Sequence, residues 1–423
     1  MRKNEFEALQ ALERHATPFL GAAYAEALVE LAGEAKFALI GEASHGTSEF
    51  YVERAELSKR LIVEKGFKFI AVEGDWPSCY VLNRYVKGDD AAGTIAAEAL
   101  RDFARWPTWM WANREIAAFA DWLRVYNDGK AEEDKVGFYG IDLYSLWESM
   151  DEILKYLAQK DGTDLEAAKR AFECFEPHGR EEQQYGIAAN FYGEGCETEV
   201  VALLRKLQDK WQSARSGDRE DALAAELNAL AVKGAEDYYR TMIRHDAESW
   251  NVRDRHMVEA LERLMAYHGP MAKAVVWAHN THIGDARATD MADEGMVNVG
   301  QLLRETHDGD VYSIGFGTYE GTVIAGRGWG RPFEEMKVPP AQSGSLEELL
   351  HRFEPADKLL LLDDAEQVLR ESKLGHRAIG VVYHPEYERG NYVPTTLAER
   401  YDAFIFLDRT SALAPLAVEA AFS

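Results

Sequence analysis

An acid and a histidine share one short loop in Phe37-Ala-Leu-Ile-Gly-Glu-Ala-Ser-His-Gly-Thr-Ser-Glu-Phe50. Residues Phe37 to Ile40 read as a buried strand, Gly41 and Gly46 free the backbone, and Thr47 or Ser48 caps the helix that follows. Glu42 and His45 therefore leave a strand end, where α/β sheets keep their sites. A second acid, Glu73, follows the apolar run Phe67 to Val72 and opens Glu73-Gly-Asp-Trp-Pro77. Farther along, Ala274-Val-Val-Trp-Ala delivers His279 and His282, and Val136-Gly-Phe-Tyr-Gly-Ile delivers Asp142 with Tyr144 just beyond.

These residue types suit hydrolysis of an ester. The reaction needs a base that holds a proton near neutral pH, and donors for the developing oxyanion. His45 supplies the base, and Glu42 or Glu73 orients its ring and raises its proton affinity. Arg54, His279 and His282 are placed to hold the substrate oxygen or the leaving group, and Asp142 and Tyr144 to touch substrate. Ser44 adjoins His45, but no Gly-x-Ser-x-Gly elbow is present, which favours water over serine as nucleophile. Three histidines and two glutamates would also suffice for a divalent ion that makes hydroxide from water. The preferred reading needs neither metal nor cofactor. Trp106, Trp109 and Trp111 either line an apolar pocket or pack between helices, and Gly326, Gly328 and Gly330 read as a turn.

The elements that must position these groups follow from periodicity. Leu57, Leu61 and Ile62 form a helical stripe that stops at Gly66, a left-handed cap. Strand, helix and strand in succession imply a right-handed crossover, with parallel and adjacent strands bringing Glu42, His45 and Glu73 to one sheet edge. Val311-Tyr-Ser-Ile-Gly-Phe-Gly-Thr318 repeats the apolar-run layout. The expected fold is α/β: a mainly parallel central sheet with flanking helices and a large inserted helical subdomain. In the middle of the chain, Leu203, Leu207 and Trp211, then Ala222 to Val232, then Tyr238, Met242 and His245 keep helical spacing. Residues 1–160 are expected to form the first part of the catalytic core, 161–268 the helical insertion and lid, and 269–423 the second part of the core. Arg180-Glu-Glu-Gln-Gln-Tyr185 suits a connection or lid turn.

Composition narrows the partners. The formal net charge of -26 repels phosphate backbones, so nucleic acid is excluded as a partner and a small-molecule ester is expected. No apolar run approaches the ~20 residues of a membrane helix, and the charged N-terminus lacks a signal-peptide core. Cys79, Cys174 and Cys196 have no metal-ligand spacing and read as reduced thiols of a cytoplasmic protein. Nothing in the pattern specifies an oligomeric state.

The Gly41-Glu-Ala-Ser-His-Gly46 loop, the Val72-Glu-Gly-Asp-Trp76 turn and the Trp277-Ala-His-Asn-Thr-His282 loop resemble the erythromycin esterase family. Ile379-Gly-Val-Val-Tyr-His-Pro-Glu-Tyr-Glu-Arg389 and Tyr401-Asp-Ala-Phe-Ile-Phe-Leu-Asp408 resemble its C-terminal pattern. The resemblance implies a cleft in which a histidine activates water to open an ester or lactone, macrolide-like or otherwise bulky, with antibiotic resistance as one use. By motif position Glu42 and His45 match the family's first acid and catalytic histidine, Glu73 its second acid, and His279 and His282 its later pair. Arg54 matches an arginine lining the same cleft. The same resemblance covers polysaccharide-biosynthesis accessory proteins, so a non-enzymatic binding role is the alternative, alongside a metal-dependent hydrolase.

Overall fold

The computed structural model describes residues 3–160, 162–178, 185, 195–213, 219–242 and 246–417. Its strands are β1 (Ala16–Pro18), β2 (Phe37–Ile40), β3 (Phe69–Asp75), β4 (Gly137–Asp142), β5 (Ala274–Trp277), β6 (Val311–Gly326), β7 (Phe333–Val338), β8 (Lys358–Leu361), β9 (Lys373–Arg377), β10 (Tyr392–Thr396) and β11 (Ala403–Thr410). Nine of them form one mixed sheet, and β9 and β10 form a separate antiparallel pair. The chain divides into two compact units: Met1–Ala71, Arg84–Gly137 and Met271–Ala421 in one, Val72–Asn83 and Phe138–Pro270 in the other.

In the first unit the strand order is β1-β8-β11-β6-β2-β5. The centre is parallel, with β2 between β5 and β6 and β6 beside β11, whereas β1, β8 and β7 join antiparallel. Every residue of β2 and β5 is buried, which explains why both read as unbroken apolar runs: a strand covered on both faces has no polar side to show. Register places Ile40 opposite Trp277 and Ile314. Two residues beyond Ile40 and Trp277 stand Glu42 and His279, so both loops leave the sheet at one level.

β2 and β3 are not adjacent, contrary to the sequence expectation. The two neighbours of β2 are β5 and β6, and β5 takes the place expected for β3. A crossover fixes handedness and direction but not how many positions it spans, so a strand from much later in the chain can slot between. The helix Ser48–Lys65 ends as expected at Gly66, whose φ of 72° is left-handed. Thr47 is its N-cap residue, but the hydroxyl bonds to Ser44 rather than capping the helix. Gly326, Gly328 and Gly330 belong to the turn region of the β6–β7 hairpin.

The second unit is helical over Leu146–Lys160, Gly162–Phe172, Glu197–Ser213, Arg219–Thr241 and Asp246–His268. Residues 138–160 group with these helices. Residues Ala222 to Val232 are all buried, and Arg219–Thr241 packs against the helices on either side of it in sequence and against Leu146–Lys160. Cys174 and Cys196 are joined as a disulfide and Cys79 is a buried free thiol, which corrects the expectation of three reduced thiols and removes its argument for a cytoplasmic location. His245 and the Arg180–Gln184 lid turn lie outside the described residues. Among the described residues no helix is long and apolar enough to cross a membrane.

Gly46 carries the closest approach around the first loop. A Cβ there would stand 1.9 Å from the carbonyl oxygen of Ile324, which is backbone and cannot swing away. Gly46→Ala should lower unfolding stability by about 1–3 kcal/mol or more. Gly380→Ala meets nothing within 4 Å and should stay within about 0.5 kcal/mol. Thermal or denaturant unfolding of the pair checks this.

Candidate active site

In the first unit, Glu42 is fully buried and its two oxygens are shared between two basic groups. His45 Nδ1 donates to Oε1 at 2.8 Å, and Arg54 Nη2 forms an ion pair with Oε2 at 2.7 Å. Arg54 is itself fully buried, its guanidinium 4.2 Å from the Tyr51 ring centre and 5.1 Å from that of Trp277. Aromatic faces partly replace the water this cation has lost. Glu42 is thus the acid that orients His45. With the proton on Nδ1, the lone pair of Nε2 is the basic one.

The His279 ring lies 4.9 Å from that of His45, tilted by 42°. His279 caps the short helix Asn280–Ile283: its Nδ1 accepts the Thr281 backbone N–H at 3.3 Å and lies 2.8 Å from the Thr281 hydroxyl. A backbone N–H can only donate, so the proton of neutral His279 sits on Nε2. The neighbouring imidazoles therefore carry opposite tautomers, one offering a base and the other an N–H donor. His282 is buried in the same helix, its backbone N–H bonded to the His279 carbonyl. The Ser44 and Thr47 hydroxyls are bonded to each other.

The second unit gathers Glu73, Asp142 and Tyr144 around a residue that sequence reasoning missed. Arg253 donates from Nη2 to Glu73 at 2.7 Å and to Asp142 Oδ2 at 2.6 Å, and from Nε to Asp142 Oδ1 at 3.0 Å. Its guanidinium lies 4.9 Å from the Tyr144 ring centre, and Tyr144 donates to the Tyr238 hydroxyl at 3.3 Å. Burial alone would raise the pKa of Asp142, but the charge and hydrogen bonds of Arg253 outweigh it and hold the carboxyl below its ordinary value. The signal for Arg253 was indirect: buried acids at strand ends require a cation. The helix Asp246–His268 offers Arg253, Arg255 and Arg263, and spacing alone does not choose among them. Trp109 and Trp111 are buried in the first unit, which favours packing for them, while Trp106 is half-buried against exposed Trp329. Among the described residues no three His, Cys, Asp or Glu side chains converge in a way that could hold a metal.

A family model described as erythromycin esterase matches residues 62–410. The chain belongs to the erythromycin esterase family. The match takes in Glu73, Asp142, His279 and His282 but begins after Glu42, His45 and Arg54. An Escherichia coli erythromycin esterase type II is 24% identical over 336 residues, 70% of this chain and 72% of its own. A solved succinoglycan biosynthesis protein superposes with TM-score 0.78 at 20% identity, covering 98% of this chain and 99% of the other. A Bacillus cereus protein superposes equally well at 19% identity, over 98% and 100% of the two chains. A mutant of the erythromycin esterase EreC in its open conformation gives TM-score 0.65 at 19% identity, over 91% and 93%. At the level of the family the activity is esterase action on a small molecule, and the neighbours share its α/β fold.

Burial lowers the pKa of His256 from 6.5 to about 4 against the opposing pull of Asp142. Above pH ~6.5 the ring is neutral in both states; below it the unfolded chain binds a proton that the folded chain does not, so stability falls by about 3 kcal/mol as pH drops to ~4. His256→Asn should flatten that limb in denaturant unfolding between these pH values. Arg253→Met leaves buried carboxylates uncompensated and should cost about 3–5 kcal/mol. Exposed Arg255→Met should cost less than about 0.5 kcal/mol in the same measurement.

Proposed function

We propose that this protein hydrolyses a bulky carboxylic ester or lactone, macrolide-like or related, by direct attack of water activated at His45. The observation that carries this reading is the Glu42–His45 pair: a buried carboxylate, anchored by Arg54, binds Nδ1 and leaves Nε2 as the base. As His45 takes the proton from water it becomes an imidazolium, which Glu42 stabilises at 2.8 Å. His279, with its proton on Nε2 and its ring 4.9 Å away, is assigned to the oxyanion or leaving group. The bond between the Ser44 and Thr47 hydroxyls supports water over serine as nucleophile. Motif position assigns Glu73 as the second acid and His282 as a substrate contact beside His279, and the strand-end position of Asp142 and Tyr144 assigns them as substrate contacts.

The test incubates metal-stripped protein with macrolides and simple aryl esters and follows product mass. A gain of one water by the wild type, lost by ~10²–10⁴-fold in His45→Ala and His45→Asn with folding intact, is the expected result. Undiminished turnover in both variants removes His45 from the mechanism. Activity that appears only on adding zinc, manganese or magnesium selects the metal-dependent hydrolase. No turnover under any of these conditions shifts weight to the polysaccharide-biosynthesis role suggested by the name of one structural neighbour.

A further inference from the structure

The first unit holds a second carboxylate–imidazole pair that the proposed reaction does not use. Glu347, in the helix Leu346–His351, and His376, in β9, are both buried, and His376 Nδ1 lies 2.6 Å from Glu347 Oε1. The Arg377 backbone N–H donates to the same oxygen at 2.8 Å. On the other side of the ring, Nε2 is 3.1 Å from Asn280 Nδ2.

The other contacts of Asn280 fix the direction of that bond. Its Nδ2 donates to the Phe316 carbonyl at 2.7 Å, and its Oδ1 accepts the Phe316 N–H at 3.2 Å. Turning the amide over would set donor against donor and acceptor against acceptor. The second N–H of Nδ2 therefore points at His376, whose Nε2 must accept it, and the single proton of a neutral His376 lies on Nδ1 toward Glu347. Burial favours that neutral state over the pull of Glu347, and Arg400 and Arg377 add to it.

Asn280 is also the residue after His279. Its backbone N–H donates to the Glu42 carbonyl at 2.9 Å, and its carbonyl accepts from Arg400 Nη2 at 3.0 Å. Gly41 has no room for a side chain, because a Cβ there would lie 2.1 Å from Asn280 Oδ1. One asparagine thus ties together the ends of β2 and β5 and the middle of β6.

We propose that Glu347, His376 and Asn280 form a buried positioning relay, in which a single His376 tautomer holds the Asn280 amide and Asn280 holds the His279 imidazole against His45. The catalytic consequence rests on the hydrolase reading; the structural consequence does not. Moving the His376 proton to Nε2 brings two N–H groups face to face, so the amide must turn or retreat. A displacement of ~1 Å at a catalytic group costs up to ~10²-fold in rate.

The experiment compares full-length Glu347→Ala and Glu347→Gln with wild type by histidine-ring nitrogen–proton NMR. The His376 signals are assigned by their loss in His376→Gln. Wild type and Glu347→Gln, which keeps an acceptor in place, should show a sheltered Nδ1 proton on His376. Glu347→Ala leaves that proton without its acceptor, so its sheltered signal should be lost and the titration midpoints of His45 and His279 should shift. With an ester that the wild type turns over, Glu347→Ala should lose ~10–100-fold in kcat with KM changed less than ~3-fold, and Glu347→Gln should recover most of it. Should Glu347→Ala fail to fold, Asn280→Ser, which keeps the backbone bonds and removes the amide, takes its place in the titration and kinetic comparisons. An unmoved His45 titration with unchanged kcat in the folded variant overturns the relay. If the wild type hydrolyses nothing, the hydrolase reading falls while the NMR comparison still decides the relay.

Discussion

The carboxylate of Glu42 is the charge around which the first unit's site is arranged. A buried anion must be matched by cations or donors or it will bind a proton instead. Here the matching is divided, with Arg54 on one oxygen and His45 on the other, and each partner imposes its own requirement. Arg54 must also be buried, and the faces of Tyr51 and Trp277 provide the surroundings in which a guanidinium tolerates that. His45 must present Nδ1 inward, which fixes the basic nitrogen as the other one. The Glu42 backbone takes part too, because its carbonyl accepts the N–H of Asn280 and joins the first loop to the His279 loop.

Strand register sets how close that joint brings the two loops. Since Ile40 stands opposite Trp277, the loops that follow begin level, and two imidazoles far apart in sequence come within 4.9 Å. Their tautomers differ because their local partners differ: a carboxylate accepts from Nδ1 in one, and a backbone N–H donates to Nδ1 in the other. A base beside an N–H donor is what the proposed transfer of a proton from water, with charge developing on a carbonyl oxygen, would require. The same Nδ1–carboxylate bond occurs at His376, where the opposite face of the ring meets a buried amide. An imidazole that must exchange protons needs a reactive partner at Nε2, whereas one committed to a buried donor there is better suited to holding structure.

The chain's short-range signals determined a good deal. The apolar run ending in Gly41, the left-handed stop at Gly66 and the helical middle were legible, and Glu42 stood as one of two acids offered to His45, because each depends on φ/ψ preference, side-chain period or contact within one turn of chain. The α/β class followed from repetition of such runs. Tertiary structure alone decided that β5 rather than β3 lies beside β2, since strand order is set by how covered faces pack and not by sequence succession. It also decided that Arg253 answers Glu73 and Asp142, that Cys174 meets Cys196, and that Asn280, His376 and Glu347 join behind the His279 loop. Each is a partnership across long sequence separation, and a residue's type states what partner it needs without stating which segment of the chain brings that partner to it.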